Sequence, residues 1–284
     1  NLYYNNSSQF YYEKIIKKNF NKIKIINKNY DNLKTTDIEP IFIVGLPRSG
    51  STMLESIMTS SKEKINSLGE CHVFNMSILD QIASEIYSNN FDKDKYNFKI
   101  DIKKLNNSIV QKYSYQTNFD DKKNLKFIDK SLENFFNIEI INKNFPKAKF
   151  LHTFRNPLDS IISIYQSMLP ELSWAHSIEN ILSYLDNYYD VMKYFKAKYP
   201  KIILDVNLED LTDDSERVTK KIFDFCRLTW DGQILNFYRR KDLYSKTLSL
   251  TQIRSEVTKY DSEKYKAYYY ILNEYKDKYK WLNI

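Results

Sequence analysis

The sequence predicts an α/β fold: a P-loop-like parallel sheet with helices on both faces. One observation is an alternation along the chain, in which short apolar runs typical of buried strands are separated by longer segments of helical periodicity. The other is the run 41–52, where an apolar strand leads through a glycine-bounded loop into the start of a helix. That order aims backbone N–H groups and a helix dipole at a phosphate or a similar anion.

The predicted elements divide the chain of 284 residues into two parts. Residues 1–38 carry apolar side chains at roughly helical spacing, so we expect a leader helix or the end of an upstream helical domain, which could be a repeat domain. Residues 39–284 are expected to form one α/β domain. Strands are predicted over 41–45, 126–128, 149–153 and 202–206, helices over about 50–61, 133–144, 157–168, 176–197, 214–227 and 261–278, and a basic loop over 239–256.

The composition excludes several classes of protein. With 42% hydrophobic and 28% charged residues the chain is globular, and its net charge of +7 includes no compact basic block with aromatics, so no nucleic-acid partner is expected. Two cysteines, Cys71 and Cys226, argue against a disulfide framework or a zinc site, and both are expected to be core thiols. No apolar run of about 18 residues occurs, so no membrane span is predicted and a cytoplasmic location is the default expectation.

Two motifs predict anion binding. The spacing from Gly45 to Gly50 fits G-x-x-x-x-G, but the lysine that reaches the phosphoryl group in nucleotidases is missing, and Arg48 is the cation of the loop. A guanidinium fork suits a pair of sulfate or phosphate oxygens. The second motif begins at Arg155, where a strand ends, and reaches Ser163 about two helical turns later, so the two side chains could share an anion. Both arginines follow strands, at the edge where ligands bind parallel sheets.

At these residues the chain resembles the sulfotransferases that use 3′-phosphoadenosine-5′-phosphosulfate (PAPS). It is most similar to the tetratricopeptide-associated branch and more distantly similar to the protein-tyrosine sulfotransferases. The resemblance covers roughly residues 39–284, with matching motifs at 40–52, 69–70, 129–130 with 134–135, 145–165, 208–211, 228–230 and 247–254.

The resemblance implies a set of site residues. Glu70 would act as general base and Lys130 would neutralise charge on the leaving oxygen, together with Arg48. Cys71 stands where tyrosine-directed relatives have a second acid, which leaves the base open between Glu70 and His72. No metal ion is expected, because cationic side chains can suffice for a sulfuryl group. The residues implied for the donor are Arg48, Ser49, Gly50, Ser51 and Thr52 at its 5′ end, Arg155 and Ser163 at its 3′ phosphate, and Ser249, Gln252 and Arg254 in a covering flap.

The expected function is transfer of a sulfuryl group from PAPS to a hydroxyl or amine acceptor, with no covalent enzyme intermediate. The acceptor class stays open among peptides (a protein tyrosine included), carbohydrates, lipids and small metabolites. Two alternatives are a P-loop nucleotide-dependent kinase and a catalytically silent nucleotide-binding scaffold. His152, on a predicted buried strand, is expected to be a hydrogen-bonded core histidine and not part of the site.

Overall fold

A five-stranded parallel sheet lies at the centre of the computed structural model, which describes residues 38–63, 65–87, 101–117, 126–240 and 256–283. The strands, in chain order, are β1 (Ile41–Gly45), β2 (Asn66–Ser67), β3 (Phe127–Asp129), β4 (Lys149–Phe154) and β5 (Ile203–Asn207). They pair in the order β2-β3-β1-β4-β5, always in parallel. The predicted α/β fold is therefore confirmed, and the four predicted strands lie within one residue of their observed bounds.

The helices lie between the strands, as a parallel sheet requires. Asn156 caps one of them by accepting hydrogen bonds from the backbone N–H groups of Leu158 and Asp159, with Pro157 at the first helical position. The α-helices are α1 (Ser51–Thr59), α2 (Val73–Tyr87), α3 (Ile102–Thr117), α4 (Ile138–Asn144), α5 (Pro157–Gln166), α6 (Ile178–Lys198), α7 (Leu208–Asp213) and α8 (Ser215–Phe225). Segments of 3₁₀ helix span Leu132–Asn137, Ser173–His176, Gly232–Arg239, Lys266–Tyr275 and Lys280–Asn283.

Two predicted helices differ in the structure. The helix predicted over 133–144 begins as a 3₁₀ helix, in which the Asn134 N–H donates to the Ser131 carbonyl three residues back, and becomes α-helical at Ile138. The closing helix predicted over 261–278 is a 3₁₀ helix over Lys266–Tyr275. Of the expected leader segment only residue 38 is described, and the predicted flap residues Ser249, Gln252 and Arg254 also lie outside the described residues.

The core has two layers because alternate residues of a strand face opposite sides of the sheet. On β1, Phe42 and Val44 pack with helices α2 to α6 and with the last residues of the chain. Ile41 and Ile43 pack on the other face with α1, α8 and the 3₁₀ helix Gly232–Arg239. The helical layers cover both faces, so the functional groups lie at the edge formed by the carboxyl ends of the strands.

Candidate active site

The loop between β1 and α1 is fixed against β4. Gly45 adopts φ 144°, and a Cβ atom there would lie 2.2 Å from the carbonyl oxygen of Thr153, so the close approach of the two strands requires glycine. The Ser49 hydroxyl donates to the Leu46 carbonyl at 2.6 Å and shares a hydrogen bond with the Thr153 hydroxyl at 2.8 Å. Arg48 has φ 65°, in the left-handed region. The loop path is therefore held from both sides.

The amino end of α1 begins inside this loop. Gly50 is the N-cap at φ 84°, with no side-chain capping bond, and the first turn contains no acidic residue. Ser51 and Thr52, the first two helical residues, are buried. A helix start without a capping carboxylate leaves the positive end of the dipole available to an anion.

Arg48 and Arg155 reach the same part of the sheet edge from two different loops. Burial lowers the pKa of the Arg48 guanidinium below its usual range, and the nearby charge of Arg155 lowers it further, while the Tyr265 oxygen acts in the opposite direction. The two positive charges repel one another, and an anion bound between them would offset that repulsion.

The sequence predicts that Arg155 and Ser163 bind one anion together. In the structure both side chains contact Tyr265. Arg155 is 8% exposed, and its Nη2 donates to the Asp159 carbonyl at 2.8 Å. Its buried Nε has no hydrogen-bond partner among the described residues, so a donor is left for a ligand. The Tyr265 hydroxyl donates to Ser163 Oγ at 3.3 Å, and the Arg155 guanidinium carbon lies 5.3 Å from the centre of the Tyr265 ring.

A second group of charged side chains lies where β3 ends. Lys130 is 2% exposed, and its Nζ is 2.9 Å from Glu70 Oε1 and 3.5 Å from Glu55 Oε2. The Lys130 N–H donates to the Gly69 carbonyl at 2.9 Å, which brings the two segments together. Glu55, on α1, was missed by the sequence analysis, because an acid in a helix carries no motif of its own.

His72 lies beside another acid that the sequence does not single out. Its backbone, at φ 51°, is held by a hydrogen bond from its N–H to the Ser131 hydroxyl at 2.8 Å. Glu133 accepts from Asn75 Nδ2 at 3.0 Å, and burial raises the pKa of Glu133, opposed by the charge of His72. The charges of the two candidates for the base act on Glu133 in opposite directions, since His72 lowers its pKa and Glu70 raises it.

Three residues are expected to be structural: His152, Cys71 and Cys226. His152 is buried between Asp205 Oδ1, 2.7 Å from Nδ1, and the Tyr188 hydroxyl at Nε2, which confirms the expected core histidine. Burial raises the pKa of both thiols, that of Cys226 to about 12 and that of Cys71 higher still, where the charge of Asp129 adds to the effect. Cys226 is buried in the core, as expected, whereas Cys71 is only partly buried and packs against the core from its edge.

A model of the sulfotransferase family matches residues 40–232. The chain belongs to this family. That match contains the β1–α1 loop, Glu70, Lys130, Arg155 and Ser163. It assigns the chain to the family as a whole, and the tetratricopeptide-associated branch stays a prediction.

One curated relative resembles this chain in sequence, and two solved sulfotransferase domains resemble it in fold. An uncharacterised protein of Aquifex aeolicus (strain VF5) is 28% identical over 235 residues, covering 81% of this chain, which spans 30% of that protein's length. The sulfotransferase domain from the curacin biosynthetic pathway aligns with a TM-score of 0.54 and 16% identity, over 80% of this chain and 85% of the domain. The sulfotransferase domain of the Synechococcus PCC 7002 olefin synthase aligns with a TM-score of 0.53 and 21% identity, over 81% of this chain and 88% of that domain.

The described ranges lack two other kinds of feature, a metal site and a membrane-spanning helix. Within those residues, no three or more His, Cys, Asp or Glu side chains are grouped so that they could hold a metal ion. No helix in the same part of the chain is both long and apolar enough to cross a membrane.

Proposed function

We propose that this protein transfers a sulfuryl group from PAPS to a hydroxyl or amine acceptor. One observation supports it most strongly: Arg48 and Arg155 follow the carboxyl ends of the paired parallel strands β1 and β4, so two guanidinium groups lie at the same edge of the sheet. A nucleotide with anionic groups at both ends of its ribose needs two such sites at one sheet edge. When bound, PAPS supplies the activated sulfuryl group.

The loop residues would bind the 5′ end of the donor. Arg48 offers a fork of N–H donors, and the start of α1 offers backbone N–H groups at Ser51 and Thr52. Ser49 supports the loop from below, because its hydroxyl is already hydrogen-bonded to Leu46 and Thr153. Arg155 and Ser163 would bind the 3′-phosphate, with the unpartnered Nε of Arg155 as one donor.

Lys130 would stabilise negative charge on the leaving oxygen, and Glu70 would accept the proton of the acceptor hydroxyl. Lys130 is fixed by burial and by its two carboxylate partners, so its ammonium group can be placed against the leaving oxygen without reorganisation. Glu70 keeps a side chain that is 40% exposed, which leaves it accessible to an acceptor hydroxyl whose proton it would take. The acceptor stays open among the classes that the sequence leaves, protein tyrosine included.

The test is transfer of label from ³⁵S-PAPS to a panel of acceptors: a tyrosyl peptide, an oligosaccharide, a lipid with a free hydroxyl and a small phenol. We expect transfer to at least one class without added metal, and its loss in Glu70→Gln with nucleotide binding retained. A protein that binds 3′-phosphoadenosine-5′-phosphate but transfers to none of them would favour the silent scaffold. Magnesium-dependent ATP hydrolysis without transfer would favour the kinase.

A further inference from the structure

The last described segment of the chain, 256–283, is attached to α5 by three tyrosine hydroxyls. Tyr260 and Tyr269 donate to the two carboxylate oxygens of Asp159, which is 1% exposed. Tyr265 donates to Ser163. Asp159 and Ser163 are four residues apart, so they lie one above the other on the same face of α5. The segment therefore contacts the face of α5 that contains Ser163, which we propose to bind the 3′-phosphate.

The Tyr265 ring is part of the hydrophobic core. Tyr265 is 6% exposed and lies in the core layer that contains Phe42 and Val44. Leu272 and Tyr279, which follow it at intervals of seven residues, lie in the same layer. Swinging the ring out would expose this apolar area to water. The hydroxyl is consequently fixed next to Ser163 and does not leave when a ligand arrives.

The direction of the hydrogen bond decides what this contact does. A serine hydroxyl has one hydrogen and two acceptor sites, and Ser163 uses an acceptor site for Tyr265. Its own hydrogen is thereby left to point at another acceptor. The ring of Tyr265 also lies against the Arg155 guanidinium, at 5.3 Å from its carbon, which restricts the orientation of that group.

The electrostatic environment agrees with a position between cations. Burial alone would raise the pKa of Tyr265, but the positive charges of Arg155 and Lys264 act in the opposite direction, and the pKa lies below its ordinary value. The charge of Tyr265 also acts on Arg48. Tyr265 therefore interacts electrostatically with both arginines of the proposed site.

We propose that Tyr265 is a positioning residue for the 3′-phosphate of the nucleotide: it fixes the Ser163 hydroxyl as a donor and holds the Arg155 guanidinium in place. The inference rests on the proposed function and extends it, because it makes the C-terminal segment part of nucleotide selection. Tyr265 acts through Ser163 and Arg155 and not by touching the reacting atoms.

A double-mutant cycle on the full chain tests this role. Dissociation constants for 3′-phosphoadenosine-5′-phosphate and for AMP, which lacks the 3′-phosphate, are measured in the wild type, Tyr265→Phe, Ser163→Ala and the double variant. We expect Tyr265→Phe to weaken binding of the 3′-phosphorylated nucleotide about 3–10-fold, the size of one hydrogen bond, and to leave AMP binding unchanged. In the Ser163→Ala background the same change should have almost no further effect.

Tyr275→Phe is the matched control, since it removes a tyrosine hydroxyl of the same segment that donates to Glu179 on α6. It should leave the preference for the 3′-phosphate intact, and melting temperatures should show that all variants fold. A wild-type preference that Tyr265→Phe leaves unchanged or increases, or fully independent effects of the two substitutions, would overturn the role of Tyr265 alone. Absence of any preference for the 3′-phosphate in the wild type would contradict the proposed function itself.

Discussion

Lys130 Nζ lies 2.9 Å from a carboxylate oxygen of Glu70, although the two residues are 60 positions apart in the chain. The family resemblance implies separate roles for them, Lys130 as the cation at the leaving oxygen and Glu70 as the general base. Their ion pair places both at the carboxyl edge of the sheet, next to the loop that contains Arg48. Glu55 completes the group as a second carboxylate on the same ammonium.

Replacing Glu70 by Gln should lower kcat for sulfuryl transfer by about 10²–10⁴-fold, the usual contribution of a general base. The amide keeps the shape and still accepts a hydrogen bond from Lys130, so the dissociation constant of the nucleotide should not change. His72→Gln is the comparison that separates the two candidate bases. Steady-state kinetics in which His72→Gln loses turnover and Glu70→Gln keeps it would assign the base to His72.

Replacing Lys130 by Met should lower kcat by about 10²–10³-fold, since a preorganised cation would no longer face the leaving oxygen. Lys126→Met is the matched control. Lys126 lies just before β3, at the end of the strand opposite to Lys130, and its ammonium group donates to the Arg227 carbonyl. Single-turnover rates at saturating PAPS, measured below the melting temperature of each variant, provide the comparison. Equal rates for the two variants would remove Lys130 from the chemistry.

Replacing Gly45 by Ala should destabilise the protein by roughly 1–3 kcal/mol, because the new Cβ meets the Thr153 carbonyl and the backbone is at φ 144°. Gly232→Ala is the control, since the nearest atom to a Cβ there is 3.6 Å away on the Trp230 ring. Urea unfolding gives both free energies. An unfolding free energy that is the same for both variants would show that the loop tolerates a side chain.

Stability should fall in acid because of two residues, the buried His152 and its exposed partner Asp205. Burial lowers the pKa of His152 below its ordinary 6.5, although the hydrogen bond with Asp205 opposes this. The unfolded chain then binds the proton more readily, so stability decreases as the pH falls below about 6.5. Burial alone would raise the pKa of Asp205, but hydrogen bonds from His152 and Lys196 lower it from 3.8 to about 2, which adds a further loss below about pH 4.

Urea unfolding of the wild type and His152→Gln between pH 8 and pH 5 measures the first effect. The decrease in unfolding free energy over this range should be smaller in His152→Gln, which cannot take up that proton. Asp205→Asn should leave the decrease over this range in place and reduce the loss at lower pH. A wild-type slope that survives in His152→Gln would place the titrating group elsewhere.

The fold could be predicted from local patterns because each strand is a short apolar run followed by a recognisable turn. The anion-binding residues could be predicted in part, since Arg48 and Arg155 each follow a strand and parallel strands end at one edge of the sheet. Helix type could not: the choice of 3₁₀ geometry over Leu132–Asn137 and Lys266–Tyr275 depends on packing that one sequence does not display.

The residues that sequence analysis missed act through long-range contacts. Glu55 approaches Lys130 only in the folded sheet, and Tyr265 approaches Ser163 across 102 positions. Both were hidden by composition, as one acid among 36 and one tyrosine among 24. The regular spacing of Tyr265, Leu272 and Tyr279 was a usable signal for a buried face, but it does not indicate which hydroxyl meets α5.

Titration calorimetry with 3′-phosphoadenosine-5′-phosphate, with ADP plus magnesium as the comparison, measures whether Arg48 and Arg155 form a site for this nucleotide. We expect metal-independent binding in the micromolar range that is weakened at least about 30-fold in Arg155→Ala, because a buried charged contact is lost. Binding of ADP that requires magnesium, with no preference for the 3′-phosphate and no effect of Arg155→Ala, would contradict the sulfotransferase site and favour the kinase.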